Sequence, residues 1–215
     1  MILSNALCPD KTPPFERDEV YITRNPLIRF LARRFRKTAG DLLVARHSST
    51  FLGLDAGCGE GALMGLLRKQ GCVARGVGID CDERKIRFAA RTHVSFTYCV
   101  SNVCSLNLKN GVFDYVIASE VLEHLAHPDK AMEELVRVAK PGALIILSVP
   151  LEPLFRFCNV LRGKYVGRLG KTPTHCNFWT PREFRMFAEG YVLVEQHFTL
   201  ATFPWQILAG TVKPA

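Results

Sequence analysis

From Phe51 to Val149, short apolar runs alternate with amphipathic stretches. Strands are expected near Phe51 to Asp55, Cys72 to Ile79, Val94 to Cys99, Phe113 to Ala118 and Ala143 to Val149, with helices at Ala62 to Gln70, Glu83 to Arg91 and Pro128 to Ala139. Strands that alternate with helices form a parallel sheet covered on both faces. Beyond Pro150 the pattern turns irregular, with helices around Leu154 to Leu161 and Pro181 to Ala188. The apolar runs Tyr191 to Phe198 and Gln206 to Val212 then close the sheet as a hairpin. The expected fold is α/β, Rossmann-like, with seven mostly parallel strands and the last antiparallel. Ligands on such sheets bind at the carboxyl ends of the strands.

Ahead of the sheet, Asn25 as cap and Pro26 at the first helical position start a helix over 25–45, with Ile28, Leu31, Phe35, Ala39 and Leu42 on one face. Arg29, Arg33, Arg36 and Lys37 fall opposite, as a solvated face or as a surface for an anionic lipid, nucleotide or RNA. Residues 1–24, with Pro13-Pro14, read as an irregular arm, and 25–215 as one domain.

Composition agrees with a packed chain: 48% of the 215 residues are hydrophobic and 22% charged, which excludes bulk disorder. No apolar run approaches the roughly 20 residues of a membrane-spanning helix. The start, Met1 to Lys11, lacks the basic region of a secretory signal, so a cytoplasmic location is expected. The eight cysteines show no CxxC pair and read as reduced thiols. A net charge of +8 hints at an anionic partner.

The chemistry concentrates in Leu52 through Gly61, a Gly-rich turn that follows a strand and opens a helix. Its spacing is GxGxG rather than the dinucleotide GxGxxG, and Asp55 ends the strand before it. An anion there repels a pyrophosphate but favours a ligand carrying an ammonium and a sulfonium, which is S-adenosylmethionine. The next strand ends in Asp80, about 20 residues beyond the glycines, where a carboxylate can accept from both ribose hydroxyls. Ser101-Asn-Val103 ends the third strand, and the fourth leads through Val121 to Leu125 and His127-Pro-Asp129 to Lys140-Pro-Gly142.

On these four motifs, over roughly Phe51 to Val149, the chain resembles the class I S-adenosylmethionine-dependent methyltransferases, particularly the type 11 group. The resemblance implies that Asp55, Gly57, Cys58, Gly59 and Gly61 surround the methionine part of the cofactor and Asp80 holds its ribose. It further implies that Cys81 lies against the adenine, Asn102 and Val103 meet its edge, and Ser119 borders the methyl group. The family usually has Asp where Asn102 stands; Asn keeps a carbonyl acceptor but loses the charge.

Methyl transfer is an in-line displacement at a sulfonium, and a hydroxyl acceptor must also lose a proton. His124 and His127, beside Glu123, are the candidate catalytic residues near the end of the fourth strand, a histidine suiting the task near neutral pH. Packing beneath the cofactor is the other role open to His124. The spacing Glu120-x-x-Glu123-His124, with His175 farther on, also admits a divalent metal, although the reading adopted here needs none. The combination looks like the metal-dependent 2′-O-methyltransferases of small-RNA 3′ ends, and part of it is similar to quinone-biosynthesis O-methyltransferases. The insertion over 152–182 interleaves Arg156, Arg162, Lys164, Arg168 and Lys171 with Phe155, Phe157, Tyr165, Phe178 and Trp179. That mixture suits a small or lipid-linked acceptor with an anionic part; RNA, a metal-dependent 3′-end activity and a dinucleotide oxidoreductase are the alternatives.

Overall fold

The computed structural model describes residues 26–46, 51–161 and 163–214. The expected arm over 1–24 and the Asn25 cap lie outside them. The first element, α1 (Pro26–Val44), is followed by β1 (Leu52–Ala56), α2 (Ala62–Lys69), β2 (Arg75–Asp80), α3 (Glu83–Thr92), β3 (Thr97–Val100) and β4 (Phe113–Ser119). Then come α4 (Pro128–Val138), β5 (Ala139–Pro150), α5 (Leu154–Leu161), α6 (Pro181–Glu189), β6 (Val192–Phe198) and β7 (Trp205–Val212).

The seven strands form one sheet in the order β3-β2-β1-β4-β5-β7-β6. Strands β1 to β5 pair in parallel, and β7 runs antiparallel to both β5 and β6, as the hairpin reading expected. Because side chains alternate across a strand, the central strands feed two cores. Leu54, Val116, Ala118, Ile145, Leu147 and Leu208 pack beneath Met132 and Leu135 of α4 and Phe184 of α6. Tyr115, Ile117, Leu144, Ile146 and Ile207 face the other way, toward Phe35 and Leu43 of α1 and Met64 and Leu67 of α2.

Helix α1 buries Ala32, Phe35, Ala39, Leu42 and Leu43, and Phe35 meets Trp205 edge-on at 5.5 Å between ring centroids. Of the expected basic face, Arg29, Arg33 and Lys37 are exposed, with Arg34 beside them, while Arg36 is half-buried. No described helix is long and apolar enough to cross a membrane. Cys58, Cys72, Cys81, Cys99, Cys104 and Cys158 are free thiols; Cys176 is disulfide-bonded and departs from that expectation.

The sheet leaves little room at its centre. Gly53 of β1 lies beside Tyr115 of β4, and a Cβ built there sits 1.9 Å from a ring carbon of this buried tyrosine. Gly53→Ala must therefore displace a packed aromatic ring, and it should lower stability by about 1–3 kcal/mol. A urea midpoint equal to that of the parent would show that Tyr115 moves aside freely.

The order of the strands also locates the site. The chain runs outward from β1 to β3 and returns to β4 on the other side of β1, so the connections that follow β1 and β4 lead away to opposite sides. Such a reversal opens a crevice, and the loops after β1 and β4 border it.

Candidate active site

The loop after β1 is a compact turn with Gly57 at φ 76°, Gly59 at 53° and Gly61 at 74°, a backbone region that L side chains rarely adopt. Ile79 at the end of β2 accepts from both Gly57 N–H and Cys58 N–H at 2.8 Å, and Gly61 N–H closes back on the Cys58 carbonyl at 2.8 Å. Gly59 N–H donates to Asp80 Oδ2 at 2.9 Å, while Asp82 N–H donates to Asp80 Oδ1 at 2.8 Å. Four amides of the turn are thus already engaged, whereas a phosphate-binding turn points its N–H groups at the ligand. Each Asp80 oxygen keeps acceptor capacity beyond the single bond it makes, enough for a pair of ribose hydroxyls. Asp55 is buried immediately ahead of the turn. A carboxylate at each side and a turn with few spare donors fit a cationic nucleoside better than a dinucleotide.

The two crevice loops touch. A Cβ at Gly57 would approach Val121 Cγ2 to 2.3 Å, so the glycine lets the loop after β4 close over the turn. Tyr98 was not singled out from the sequence, where it reads as an ordinary strand residue. Its ring fills the space against Gly78 and its hydroxyl lies 2.7 Å from a Cβ built at Gly61. That hydroxyl is buried with no hydrogen-bond partner among the described residues, and burial pushes its pKa up, with Cys58 and Asp55 adding to the effect. Of the remaining cofactor candidates, Cys81 is exposed after Asp80, Val103 is buried, and Asn102 Oδ1 accepts from Cys104 N–H at 2.9 Å. Ser119 Oγ lies 3.0 Å from Ser148 Oγ.

Beyond β4 the structure differs from a regular helical turn. Glu120 sits at φ 57° and only Leu122 to His124 form a short 3-10 turn. Glu123 is fully buried, and neither carboxylate oxygen has a hydrogen-bond partner among the described residues. Burial, then the neighbouring Glu120, holds its carboxyl well above the usual carboxylate range. Burial likewise raises Glu120, opposed by hydrogen bonds from Trp205 and Ser148. Glu152, at the head of the insertion, is a third buried carboxyl, its pKa raised by burial and opposed by the Arg156 amide and the Arg156 and Lys171 charges.

The insertion supplies the far wall. His124 Nδ1 lies 3.0 Å from the Thr174 carbonyl, which only accepts, so Nδ1 carries the proton and Nε2 of the neutral ring holds the lone pair. Burial lowers the His124 pKa, opposed by that hydrogen bond, so the ring is neutral at pH 7. His175 meets His124 edge-on at 4.8 Å between centroids, and burial lowers its pKa to about 3, with His124 adding to the effect. Glu123, His124 and His175 each bring one ligand atom within 4.8 Å of the others. Three of the four metal candidates therefore converge, while Glu120 turns to Ser148, whose Oγ is 3.5 Å from Oε1. His127 is not part of this group: it is exposed and precedes α4. An open cavity of about 460 Å³ borders His175 and is lined by Arg168, Leu169, Lys171 and Phe178. Lys171 Nζ stands 5.3 Å from the Phe178 ring centroid.

Residues 54–147 match the methyltransferase domain family. Norajmaline N-methyltransferase of Rauvolfia serpentina is 33% identical over 99 residues, covering 44% of this chain and 34% of the relative. Ubiquinone biosynthesis O-methyltransferase of Coxiella burnetii is 28% identical over 143 residues, covering 63% of this chain and 60% of the relative. The chain thus spans less than two thirds of these relatives. Among solved structures, a SAM-dependent methyltransferase from Aquifex aeolicus superposes with a TM-score of 0.67 at 16% identity, covering 93% of this chain and all of the other. The N-methyltransferase NodS of Bradyrhizobium japonicum, solved with S-adenosyl-L-homocysteine, gives 0.66 at 15% identity over 89% of this chain and 90% of its own. Residues 54–147 thus match the methyltransferase domain family, and the chain takes the fold of these solved methyltransferases.

Proposed function

We propose that this protein, in the cytoplasm, moves the methyl group of S-adenosylmethionine to an oxygen of a small or lipid-linked acceptor that carries an anionic part. The observation that carries this reading is His124, whose ring is neutral, fixed in one tautomer by the Thr174 carbonyl, and adjacent to the cation-lined cavity through His175. In the reaction an acceptor oxygen forms the new C–O bond while the C–S bond breaks, its electron pair returning to sulfur. Nε2 of His124 takes the hydroxyl proton. Arg168 and Lys171 attract the anionic part of the acceptor, and Phe178 covers its apolar part. Asp80 holds the ribose, and Asp55 with the Gly57 to Gly61 turn encloses the methionine end. The relatives include N- and O-methyltransferases, so the acceptor atom needs a direct test. Label transfer should be measured with acceptor pairs differing only in hydroxyl against amine, and in the presence or absence of a carboxylate or phosphate. Preferential labelling of the anionic hydroxyl members is expected; preference for the amines would refute the oxygen acceptor.

The Glu123, His124 and His175 cluster favours a second reading, in which a divalent cation assists the same transfer, as in the RNA 3′-end alternative. Two imidazoles and a carboxylate suit Mn, Fe, Co or Zn better than Mg. A cation would also give the buried Glu123 carboxylate a counter-charge, and the Thr174 carbonyl already orients His124 as an outer partner of a metal ligand does. On this reading the cation would polarise the acceptor oxygen. At about 100 times its dissociation constant, such a metal should stabilise the fold by about 2.7 kcal/mol, roughly 5–10 °C in melting temperature. His175→Ala should abolish the shift. An unchanged melting temperature across Mn, Co and Zn would dismiss the metal.

A further inference from the structure

The insertion carries an apolar helical stripe that the proposed chemistry does not use. On α5, Leu154, Phe157 and Leu161 recur at i, i+3 and i+7, and Phe157 is 58% and Leu161 70% exposed. An apolar helical stripe normally faces a core; this one faces outward. The opposite side of α5 is the packed one. Asn159 is buried and donates from Nδ2 to the Gly170 carbonyl at 3.0 Å, while Lys164 N–H donates to the Asn159 carbonyl at 2.8 Å. Arg156 Nε adds a bond to the Leu169 carbonyl at 3.3 Å, and Gly170 passes so close that a Cβ would lie 2.1 Å from the Arg156 carbonyl oxygen. The loop over 163–171 is therefore folded onto α5, and it exposes Val166 at 54% and Leu169 at 72%.

Charge selects the occupant. Between Pro153 and Arg182 the chain has six Lys and Arg and no Asp or Glu. Lys164, Arg168 and Lys171 are exposed among the apolar residues. A symmetric contact with a second copy would set these cations against one another. Nucleic acid would use the charges but leave aliphatic Leu161, Val166 and Leu169 without a role, since bases are held by stacking and hydrogen bonds. An anionic bilayer takes both, with apolar side chains entering the acyl boundary and cations resting among the headgroups.

We propose that α5 and the loop folded onto it form an interfacial anchor that seats the protein on anionic membranes. Leu169 and Arg168 belong both to this surface and to the cavity beside His175, so a docked protein opens its acceptor cavity at the headgroup level. The inference rests on the oxygen-transfer reading only in assigning the acceptor to the lipid phase, as a membrane-resident amphiphile with an anionic part; membrane binding itself is independent of it.

The test is sedimentation of the full chain with vesicles of phosphatidylcholine alone or mixed with phosphatidylglycerol, alongside calorimetric titration with S-adenosylhomocysteine. The expected result is binding to the anionic vesicles that weakens as salt is raised. Phe157→Ser/Leu161→Ser should reduce that binding at least about 10-fold, and Lys164→Gln by roughly 5-fold, with S-adenosylhomocysteine affinity unchanged in both. Equal binding to both vesicle types, absence of binding, or binding indifferent to these substitutions would overturn the proposal. So would a finding that Phe157→Ser/Leu161→Ser merely converts a dimer to a monomer. Failure to bind S-adenosylhomocysteine would instead count against the methyltransferase reading, which keeps the two failures apart.

Discussion

His124→Ala should lower turnover about 10²–10⁴-fold while leaving S-adenosylhomocysteine affinity nearly unchanged. The size follows from the task. A hydroxyl attacking a sulfonium must lose its proton as the C–O bond forms, and a fixed base spares water from that role. His124 satisfies the requirements: burial lowers its pKa, so the lone pair is free at pH 7, and the Thr174 carbonyl fixes the proton on Nδ1. The cofactor cradle uses other residues, chiefly those that join the β1 turn to Asp80, so cofactor affinity should not follow turnover. Measuring kcat, calorimetric affinity and bound metal on the same sample separates the possibilities. Loss of turnover with no metal in the parent identifies the base, whereas loss of turnover together with bound metal favours the ligand role. Full turnover in the variant would reduce His124 to packing.

Much of the sheet was legible because each central strand is an apolar run buried on both faces, bounded by helices with clear amphipathic stripes. The errors fall where local pattern and tertiary pairing part company. Cys72 to Ala74 read as the start of the second strand, yet Cys72 N–H bonds back to the Leu67 carbonyl after Gly71 turns at φ 74°. Those residues form the connection between α2 and β2. Conversely, β5 starts at Ala139, four residues before the expected Ala143, because Ala139 pairs with Phe113 across a register shift. No run of hydrophobic residues marks that pairing.

The glycine turn after β1 and the place of Asp80 at the end of β2 were legible because turn chemistry and spacing are written in the chain. The Glu120 to His124 segment was only half legible. Its spacing suggests one helical turn, but a positive φ at a glutamate leaves no sequence mark, and Glu120 neighbours Glu123 without joining the Glu123, His124 and His175 set. Tyr98 and the Thr174 carbonyl were invisible for a different reason. Their positions depend on the packing of β3 under the glycine turn and of the insertion over the loop after β4. A strand tyrosine and a backbone oxygen carry no local signal of either.

Asp80→Ala should weaken S-adenosylhomocysteine binding by about 1.5–3 kcal/mol, a factor of roughly 10 to 150, since a charged acceptor to two ribose hydroxyls is lost. The same substitution strips Gly59 N–H and Asp82 N–H of their partner, so the turn that encloses the methionine end also loses a tie. The two effects act in the same direction, which places the expected loss toward the upper end. Asp80→Asn divides them. Its side-chain oxygen still accepts from one of these amides, but the charge is gone and an NH2 group replaces one acceptor. It should therefore recover part of the loss while remaining weaker than the parent. Titration with NAD(P) is the companion measurement. Tight NAD(P) binding with no response to S-adenosylhomocysteine would return the chain to the oxidoreductase alternative. Unchanged S-adenosylhomocysteine affinity in Asp80→Ala would remove Asp80 from the site, and the carboxylate would then serve only to tie the end of β2 to the glycine turn.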